Sequence, residues 1–246
     1  MNKINNLIKL LNAASLEWGL DYISGAEEKI CKLHSLLNSG NLKMSLTTIT
    51  EPHQFITEHV IDSLAPMHQG IVNPKDKIID IGTGAGFPGL PLAICSPSVE
   101  ITLVDATLKK TKWLESTCRN LGLPNTKVIW ARAEELARER EHRGKYNLAV
   151  VRAMGKISII MECAIPFLQI GGTLVIYKGP KVENEIEVGA KAASQLGGKI
   201  IEVQRFLLPT TKITRSLVIV KKIRETPSKY PRRPGIPKKR PLGIEP

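Results

Sequence analysis

The sequence has few aromatic residues and no long apolar run. Phenylalanine, tryptophan and tyrosine make up 4% of its 246 residues, which leaves little material for stacking on nucleic-acid bases. No apolar run approaches the roughly 20 residues that a membrane-spanning helix needs. The first residues also lack the apolar core and cleavage site of a secretory signal peptide. We therefore expect a cytoplasmic protein that makes no membrane contact.

Cysteine is also scarce, and its spacing argues against a metal site. The four cysteines, at positions 31, 95, 118 and 163, form no C-x-x-C pair, and scattered cysteines in a reducing compartment are usually small buried hydrophobes. Cys31 and His34 lie one helical turn apart, but two ligands do not make a zinc site. We predict no metal. The sequence also shows no clear His–Asp or Cys–His pair of the kind used for general base or nucleophilic catalysis.

Basic residues exceed acidic ones, and the excess is greatest at the C-terminus. The net charge is +12, which favours a polyanionic partner, with RNA or DNA ahead of a membrane surface. Residues 224–246 contain seven basic and two acidic residues, a local charge of +5, together with six prolines that exclude a continuing helix or central strand. Two interpretations remain open: an extended arm that lies along phosphates, or a solvated terminus without fixed structure. Within it, Tyr230 is either an RNA-stacking group or an anchor on the domain.

The first part of the chain is predicted to be helical. Leucine and isoleucine recur there at spacings that build apolar helical stripes. Ser24-Gly25, followed by acidic residues, marks the start of a second helix, and the segment 38–41 is expected to break it. Thr50-Glu51-Pro52 opens a further helix, which ends before Pro66. We interpret residues 1–70 as a helical cap on the main domain.

From residue 76 onward, strands and helices alternate, which implies a parallel sheet covered on both faces. The fold class predicted is α/β, with a doubly wound, mostly parallel, seven-stranded Rossmann-like sheet. It would occupy residues 71–223, between the helical cap and the tail of 224–246. Gly171-Gly172 is interpreted as a turn that enters the fifth strand. The predicted strands are 78–81, 101–104, 128–130, 148–151, 174–177, a weaker one at 200–203, and 217–220, and the predicted helices are 88–95, 107–121, 132–142, 156–168 and 181–196.

Between the first strand and its helix lies a glycine-rich turn, and two ligand templates compete for it. Gly84-x-Gly86-x-x-Gly89 matches the dinucleotide pattern, and Asp105 stands about 20 residues further on, as an NAD-type oxidoreductase requires. Pro88 lies inside that match, however, and the match begins two residues beyond the entry to the turn. A bare glycine pattern of this kind is weak support for a dinucleotide.

The second template is that of a methyltransferase, in which an acid near the end of the first strand precedes G-x-G-x-G. The run from Asp80 to Gly86 fits it in register with the strand, and Gly84 would allow close backbone approach to S-adenosylmethionine. Asp105 is placed to accept from ribose hydroxyls, unless it is only a loop acid or helix cap. Glu134, after the third strand, is placed near the adenine, unless it is only a favourable first-turn acid.

The longer run that contains this turn resembles the signature of a known family. Residues 80–94, Asp-Ile-Gly-Thr-Gly-Ala-Gly-Phe-Pro-Gly-Leu-Pro-Leu-Ala-Ile, are similar to those of the bacterial 16S ribosomal RNA guanine-N7 methyltransferases, formerly called glucose-inhibited division protein B. The G-F-P-G-L-P part is far more specific than a glycine pattern alone. The resemblance covers nearly the whole chain and includes the stretches 59–64, 132–134, 151–153, 177–179 and 229–237.

This resemblance implies a class I methyltransferase with S-adenosylmethionine as methyl donor and no metal. The acceptor would be a guanine of 16S rRNA in the small ribosomal subunit, and we favour a monomer. The alternatives still open are an NAD-dependent oxidoreductase built on the same turn and a non-catalytic basic RNA-binding factor. The expected cofactor-binding residues are Gly82, Gly84, Phe87, Asp105, Ala106, Thr107, Ala133, Glu134 and Arg152.

The expected reaction needs positioning more than proton transfer. Guanine N7 carries an in-plane lone pair and no proton, so its attack on a methyl group requires no general base, and alignment is the main task. Arg152 and Lys178 are the candidate catalytic residues, as groups that hydrogen-bond guanine O6 or hold a phosphate. A cation beside N7 would oppose formation of the cationic product, so neither is expected to lie there. Lys178 is otherwise a strand-end lysine that reaches solvent.

Overall fold

The structure is a computed structural model that describes residues 2–20 and 25–244. Its centre is one seven-stranded sheet with the strand order β3-β2-β1-β4-β5-β7-β6. The first five strands are mutually parallel, and β7 runs antiparallel between β5 and β6. This confirms the predicted fold class. The strands are β1 (Lys77–Ile81), β2 (Glu100–Asp105), β3 (Thr126–Trp130), β4 (Tyr146–Arg152), β5 (Leu168–Lys178), β6 (Gly198–Leu207) and β7 (Thr214–Lys222).

Helices cover both faces of the sheet, as its buried strands require. A π-helical segment, Phe55–Ile61, continues directly from α3, and a 3-10 turn, Ile165–Phe167, follows α8. The α-helices are α1 (Asn2–Trp18), α2 (Glu27–Asn41), α3 (Pro52–Gln54), α4 (Ala65–His68), α5 (Gly89–Cys95), α6 (Leu108–Leu121), α7 (Ala133–Leu136), α8 (Ile157–Ala164), α9 (Glu183–Leu196) and α10 (Ile236–Lys239).

The N-terminal helices share an apolar core with one face of the sheet. Leu33 on α2 and Phe55 in the π-helical segment are fully buried in the same cluster as Ile78 of β1 and Leu90 of α5. The opposite face carries a second cluster, which includes α8 and α9. Burying each such side chain contributes about 1.5–3 kcal/mol. The helical segment is therefore held against the sheet through direct apolar contact.

Three local predictions were wrong, and in two of them contacts with distant residues explain the difference. The predicted break at 38–41 lies inside α2, where Gly40 is needed because a Cβ there would collide with the indole of Trp113. The glycines at 171–172 lie within β5 rather than before it. The helix predicted at 132–142 is only the four residues of α7; turns follow, and Arg143 donates to carbonyls of residues 226–230.

The predicted helix starts compare well with the structure where it describes them. α2 begins at Glu27, while Ser24, part of the predicted start signal, lies outside the described residues. α3 begins at Pro52, with the Glu51 carboxylate accepting from the Gln54 amide at 3.0 Å. Within the described ranges, no helix is both long and apolar enough to cross a bilayer.

The interpretation of the C-terminal tail as a solvated terminus is wrong, because residues 224–244 fold back onto the domain, while its contact with phosphates stays a prediction. We call this segment the strap. Tyr230 is 8% exposed and packs in the second apolar cluster, so of its two proposed roles the anchor is confirmed. The Arg232 guanidinium donates to both carboxylate oxygens of Glu162, a fully buried acid on α8. Arg232 is thus ion-paired with the domain, whereas the six other basic residues of the strap are exposed.

Candidate active site

The glycine turn after β1 adopts a backbone that other residues rarely tolerate. Gly82, Gly84 and Gly86 all have positive φ, at 69°, 60° and 88°, which glycine reaches without steric cost. The Gly82 amide donates to the Val104 carbonyl at 2.8 Å, so the turn is tied to β2. A Cβ on Gly82 would lie 2.7 Å from the Met154 sulfur. The turn therefore allows the loop after β4 to pack directly against it.

Asp105 joins this turn to the loop that follows β2. One carboxylate oxygen accepts from the Gly84 amide at 3.0 Å, and the other accepts from the Thr107 amide at 2.8 Å. Asp105 is 8% exposed. Each carboxylate oxygen has two acceptor positions, so capacity for ligand hydroxyls remains after these two bonds. The acid thus holds the loop and can also bind a ligand.

Asp80 is fully buried beneath the turn. Its Oδ2 atom accepts from the Thr83 hydroxyl at 2.6 Å and from the Gly89 amide at 2.8 Å. Its Oδ1 atom has no hydrogen-bond partner among residues 2–20 and 25–244. Burial raises the pKa of Asp80 from 3.8 to about 6, against the two hydrogen bonds that lower it. This carboxyl group therefore loses its proton near pH 6.

We expect Asp80 to make the folded protein less stable as pH rises from 4 to 7. Its pKa is higher in the folded state than the unfolded value of 3.8, so the folded state binds the proton more tightly and loses that advantage on ionisation. Relative to Asp80→Asn, wild type should lose up to about 3 kcal/mol of unfolding free energy across this window. Denaturant unfolding at several pH values measures the difference.

The exposed Glu100, at the opposite edge of the sheet, supplies a control as Glu100→Gln. Its difference from wild type should stay nearly constant over the same window, because the Glu100 side chain is exposed to solvent in the folded protein. A wild-type minus Asp80→Asn difference that does not change with pH would contradict the buried, proton-binding carboxylate.

A cavity of about 220 Å³, which we call the glycine-turn cavity, opens at the carboxyl ends of β1, β2 and β3. This is the edge at which open α/β sheets bind ligands. Five predicted cofactor-binding residues line it, namely Gly82, Asp105, Ala106, Ala133 and Glu134. Gly84, Phe87, Thr107 and Arg152 do not line it, although Gly84 and Thr107 are hydrogen-bonded to Asp105.

The strap supplies one wall of the glycine-turn cavity. Gly235, Pro237 and Lys238 line it, and the Gly235 amide donates to a carboxylate oxygen of Glu134 at 3.1 Å. Sequence reasoning missed these residues, as well as Met154. No pattern could connect Gly235 with Glu134, because 101 residues separate them and the contact depends on how the strap folds back.

A second cavity, of about 430 Å³, lies at the carboxyl ends of β4 and β5, and we call it the arginine cavity. Ala153, with φ of 60°, turns the chain there. Both predicted catalytic residues line it. The lining consists of Ile49, Glu58, His59, Asp62, Arg152, Ala153, Tyr177, Lys178, Gly179 and Arg215.

Arg152 is held rigidly by groups from the π-helical segment and its end. Its guanidinium donates to the Glu58 carbonyl at 2.9 Å, to Asp62 Oδ2 at 3.2 Å and to His59 Nδ1 at 3.2 Å. The guanidinium carbon also lies 5.5 Å from the centre of the Phe87 ring. Three hydrogen bonds and one aromatic face leave this side chain little freedom, so its remaining donors have a defined direction.

His59 is a neutral acceptor in this arrangement. Burial, and then the charge of Arg152, lower the pKa of His59 to about 3. Because an arginine can only donate, His59 Nδ1 accepts and the proton lies on Nε2, 2.8 Å from the Thr47 hydroxyl. The imidazole stacks on Phe87 with ring centres 4.2 Å apart. Phe87 lines neither cavity, and its cofactor contact stays a prediction.

Arg215 and two acids complete the arginine cavity, and sequence reasoning had assigned them no role. Arg215 pairs with Glu58 at 3.0 Å and with Asp62 Oδ2 at 3.5 Å. Burial raises the pKa of Asp62, while Arg152 and Arg215 oppose the rise. Asp62 lies within the stretch 59–64 that resembles the family, and Glu58 directly precedes it, so the resemblance could have indicated both acids. No sequence signal indicated Arg215 on β7.

Lys178 is paired at the cavity wall and does not extend into solvent. Its ammonium donates to both carboxylate oxygens of Glu185 at 2.9 Å and to the Gly155 carbonyl at 2.7 Å. Its side chain is 14% exposed. The solvent-reaching interpretation is therefore wrong, while the catalytic role stays a prediction. Among the described residues, no three or more His, Cys, Asp or Glu side chains are grouped so that they could hold a metal ion.

Comparison with known proteins assigns the chain to a family. The model of the family "rRNA small subunit methyltransferase G" matches residues 26–214. The chain belongs to this family. A protein of Deinococcus deserti with that name is 41% identical over 95% of this chain and 96% of its own length, and one of Alkaliphilus metalliredigens is 36% identical over 95% and 98%. Membership confirms the predicted methyltransferase and its methyl donor, S-adenosylmethionine, and excludes the oxidoreductase and the non-catalytic factor.

Solved structures support the fold. The M. jannaschii TYW2 structure in complex with AdoMet aligns with a TM-score of 0.50, over 62% of this chain and 72% of that one, at 18% identity. Thermus thermophilus TrmN aligns with a TM-score of 0.51, over 65% of this chain and 48% of that one, at 14% identity. These alignments show a shared Rossmann-like architecture and carry no residue roles to this chain.

Proposed function

We propose that this chain transfers a methyl group from S-adenosylmethionine to N7 of a guanine in 16S rRNA. The observation that carries the proposal is the loop after β4, which borders both cavities. Arg152 and Ala153 line the arginine cavity, and Met154 lines the glycine-turn cavity. A methyl donor in the glycine-turn cavity and a base in the arginine cavity would thus be separated only by residues 152–154. The names of the relatives, rRNA small subunit methyltransferases, support an RNA acceptor.

The lining of the glycine-turn cavity fits the nucleoside part of S-adenosylmethionine. Ile81, Val104 and Ile159 provide apolar walls, while Asp105 and Glu134 provide carboxylates. Two acceptor groups beside these apolar walls suit ribose hydroxyls at one end and an amino-bearing ring at the other. When bound, the cofactor supplies a methyl group activated by its sulfonium charge. We assign its binding to Gly82, Gly84, Phe87, Asp105, Ala106, Thr107, Ala133, Glu134 and Arg152.

The residues of the arginine cavity orient the base and need not move a proton. Because N7 attacks with its own lone pair, the neutral His59 is not required as a base. Arg152 directs its free donors toward guanine O6 or a flanking phosphate, while Lys178, whose donors are engaged by Glu185 and Gly155, contributes its charge from β5. Asp62 pairs with both Arg152 and Arg215, and Arg215 also pairs with Glu58. The carboxylates of Glu58 and Asp62 offset the charges of the two arginines. The positive charge of the methylated base is therefore repelled less than it would be by the arginines alone.

The proposal extends to where and how the protein works. We propose that it acts as a monomer in the cytoplasm on the small ribosomal subunit or its rRNA. The parts are a helical cap of residues 1–70, a methyltransferase domain of 71–223 and the basic tail of 224–246. The charge of +12 supports an RNA substrate, because contacts with phosphates release counterions.

The decisive experiment is mass mapping of methylated guanines in 16S rRNA. The purified chain, S-adenosylmethionine and 30S particles from cells that lack this protein are combined under single-turnover conditions. We expect one new 7-methylguanine, absent when S-adenosylmethionine is omitted. Naked rRNA serves as a second substrate. Methylation at another atom, or none on either substrate, would refute the proposed reaction.

Arg152→Lys is expected to slow single-turnover methyl transfer about 100-fold, because lysine lacks the planar fork that holds Asp62 and His59 while pointing at the base. The affinity for S-adenosylhomocysteine, measured by isothermal titration, separates the two roles assigned to Arg152. A parallel fall in that affinity identifies a cofactor contact, and an unchanged affinity identifies a base or phosphate contact. The exposed Arg119→Lys on α6 is the control and should change neither value.

A further inference from the structure

Asp62, at the wall of the arginine cavity, has an acceptor that none of the described residues uses. Its Oδ2 atom receives hydrogen bonds from Arg152 and Arg215. Its Oδ1 atom has no partner in the part of the chain that the structure describes, and the residue is 3% exposed. An unsatisfied buried acceptor costs about 1–3 kcal/mol, and more when charged. Because Asp62 lines the cavity, a ligand bound there can supply the missing donor.

Glu58 stands beside it at the same cavity wall. Its carboxylate pairs with Arg215 through Oε2 at 3.0 Å, and its side chain is 19% exposed. Arg215 therefore bridges the two carboxylates, pairing with Glu58 through one nitrogen and with Asp62 through another. This bridge fixes the positions of both acids. The cavity volume of about 430 Å³ lies within the range of small-molecule pockets.

The chemistry of the two acids determines which base edge they can read. Ionised carboxylates only accept hydrogen bonds, so they require neighbouring donors. On its Watson–Crick edge guanine presents two adjacent donors, N1–H and the N2 amino group. Adenine presents one amino group next to an acceptor nitrogen, which a carboxylate would repel. A base extruded into such a pocket is read on this edge.

We infer that Asp62 and Glu58 select guanine by accepting from N1–H and the N2 amino group of the target base. This inference rests on the proposed function and identifies its specificity-determining residues. Arg152 and Lys178 then lie toward O6 or the phosphate, while N7 faces the loop after β4. The acids also act on the reaction itself. Methylation of N7 places a positive charge on the base, and a fixed pair of carboxylates stabilises that charge as it develops.

The test uses a synthetic RNA fragment that contains the mapped target, made either with guanine or with inosine at that single position. Inosine keeps N7, O6 and N1–H but lacks the N2 amino group. Wild-type enzyme is expected to show at least a tenfold lower kcat/KM on the inosine fragment, since one missing hydrogen bond to an ionised acceptor leaves that acceptor unpaired. This comparison involves no variant and is independent of folding.

The variants then assign the discrimination to the acids. Glu58→Gln should lower kcat/KM on the guanine fragment about tenfold or more and bring the guanine-to-inosine ratio toward one. Asp62→Asn should do the same if folded, as checked by its melting temperature. The affinity for S-adenosylhomocysteine should stay unchanged in Glu58→Gln. Glu100→Gln, the exposed control on β2, should retain the wild-type ratio.

The outcomes separate this inference from the function on which it rests. If wild type forms no 7-methylguanine on the guanine fragment, the proposed function fails and the inference falls with it. If 7-methylguanine forms but wild type treats inosine like guanine, only the inference is overturned. It is likewise overturned if Glu58→Gln and folded Asp62→Asn both keep the wild-type ratio, because a purely structural role leaves discrimination unaffected.

Discussion

Replacing Asp105 by asparagine is expected to weaken the binding of S-adenosylhomocysteine about 100-fold. The Asp105 carboxylate receives the amides of Gly84 and Thr107 and lines the glycine-turn cavity. Hydrogen bonds to a charged group contribute about 1.5–3 kcal/mol each, and a side-chain amide can accept through only one of its two polar atoms. The Asp105→Asn variant would therefore lose a ribose contact and a bond that shapes the turn. Isothermal titration measures the affinity.

Asp76 supplies a matched control at the opposite edge of the sheet. Its Oδ2 atom also accepts from a loop amide, that of Asn73 at 2.8 Å, but it lines neither cavity. Asp76→Asn should lower stability slightly and leave the affinity for S-adenosylhomocysteine unchanged. Wild-type affinity in a folded Asp105→Asn variant would show that the cofactor does not bind at this edge as assigned.

Arg232→Met is expected to destabilise the protein by about 3 kcal/mol. Glu162 is fully buried and receives the Arg232 amide at 2.7 Å and its guanidinium at 2.6–3.1 Å. Removing one partner of a buried ion pair leaves the other charge uncompensated, at a cost of about 3–5 kcal/mol. The lower end applies because the Arg232 side chain is 27% exposed and its backbone amide remains. Denaturant unfolding measures the change.

The double variant Arg232→Met with Glu162→Gln should recover part of this loss, because the buried charge is then also removed. Arg233→Met, at the exposed neighbouring position, is the matched single control and should change stability by less than about 0.5 kcal/mol. Equal effects of Arg232→Met and Arg233→Met would contradict the role of Arg232 as the anchor of the strap.

The Arg232→Met variant should also weaken cofactor binding, because the strap forms a wall of the glycine-turn cavity. Gly235, Pro237 and Lys238 follow Arg232 closely and line that cavity.

The position of the strap at the cavity wall changes how truncation experiments are interpreted. Deleting residues 224–246 would remove a cavity wall and the Arg232–Glu162 pair together, so weaker RNA binding after truncation would not by itself identify phosphate contacts. Single substitutions at exposed basic residues such as Arg233 avoid this ambiguity.

Much of the fold could be predicted because its signals are local. Buried strands read as short apolar runs, and the glycine turn requires backbone angles that the sequence shows directly as glycine at 82, 84 and 86. The acids that line the glycine-turn cavity also followed from local register, since parallel strands end at one edge. Two of the errors in the predicted secondary structure occurred where a contact with a distant residue decided the local structure. Gly40 suits a close approach to Trp113, and Arg143 binds carbonyls of the strap.

The amino-acid sequence by itself determined the sheet, the glycine turn and the acids after β1 to β3, because each depends on residues close together in the chain. Only the tertiary structure decided the rest of the site. Glu58, Asp62, Arg152 and Arg215 meet across 157 residues of separation, and Glu134 meets Gly235 across 101. These contacts arise because β7 inserts beside β5 and the strap folds back onto the domain. The sequence around one residue of such a pair gives no indication of which distant residue it will contact.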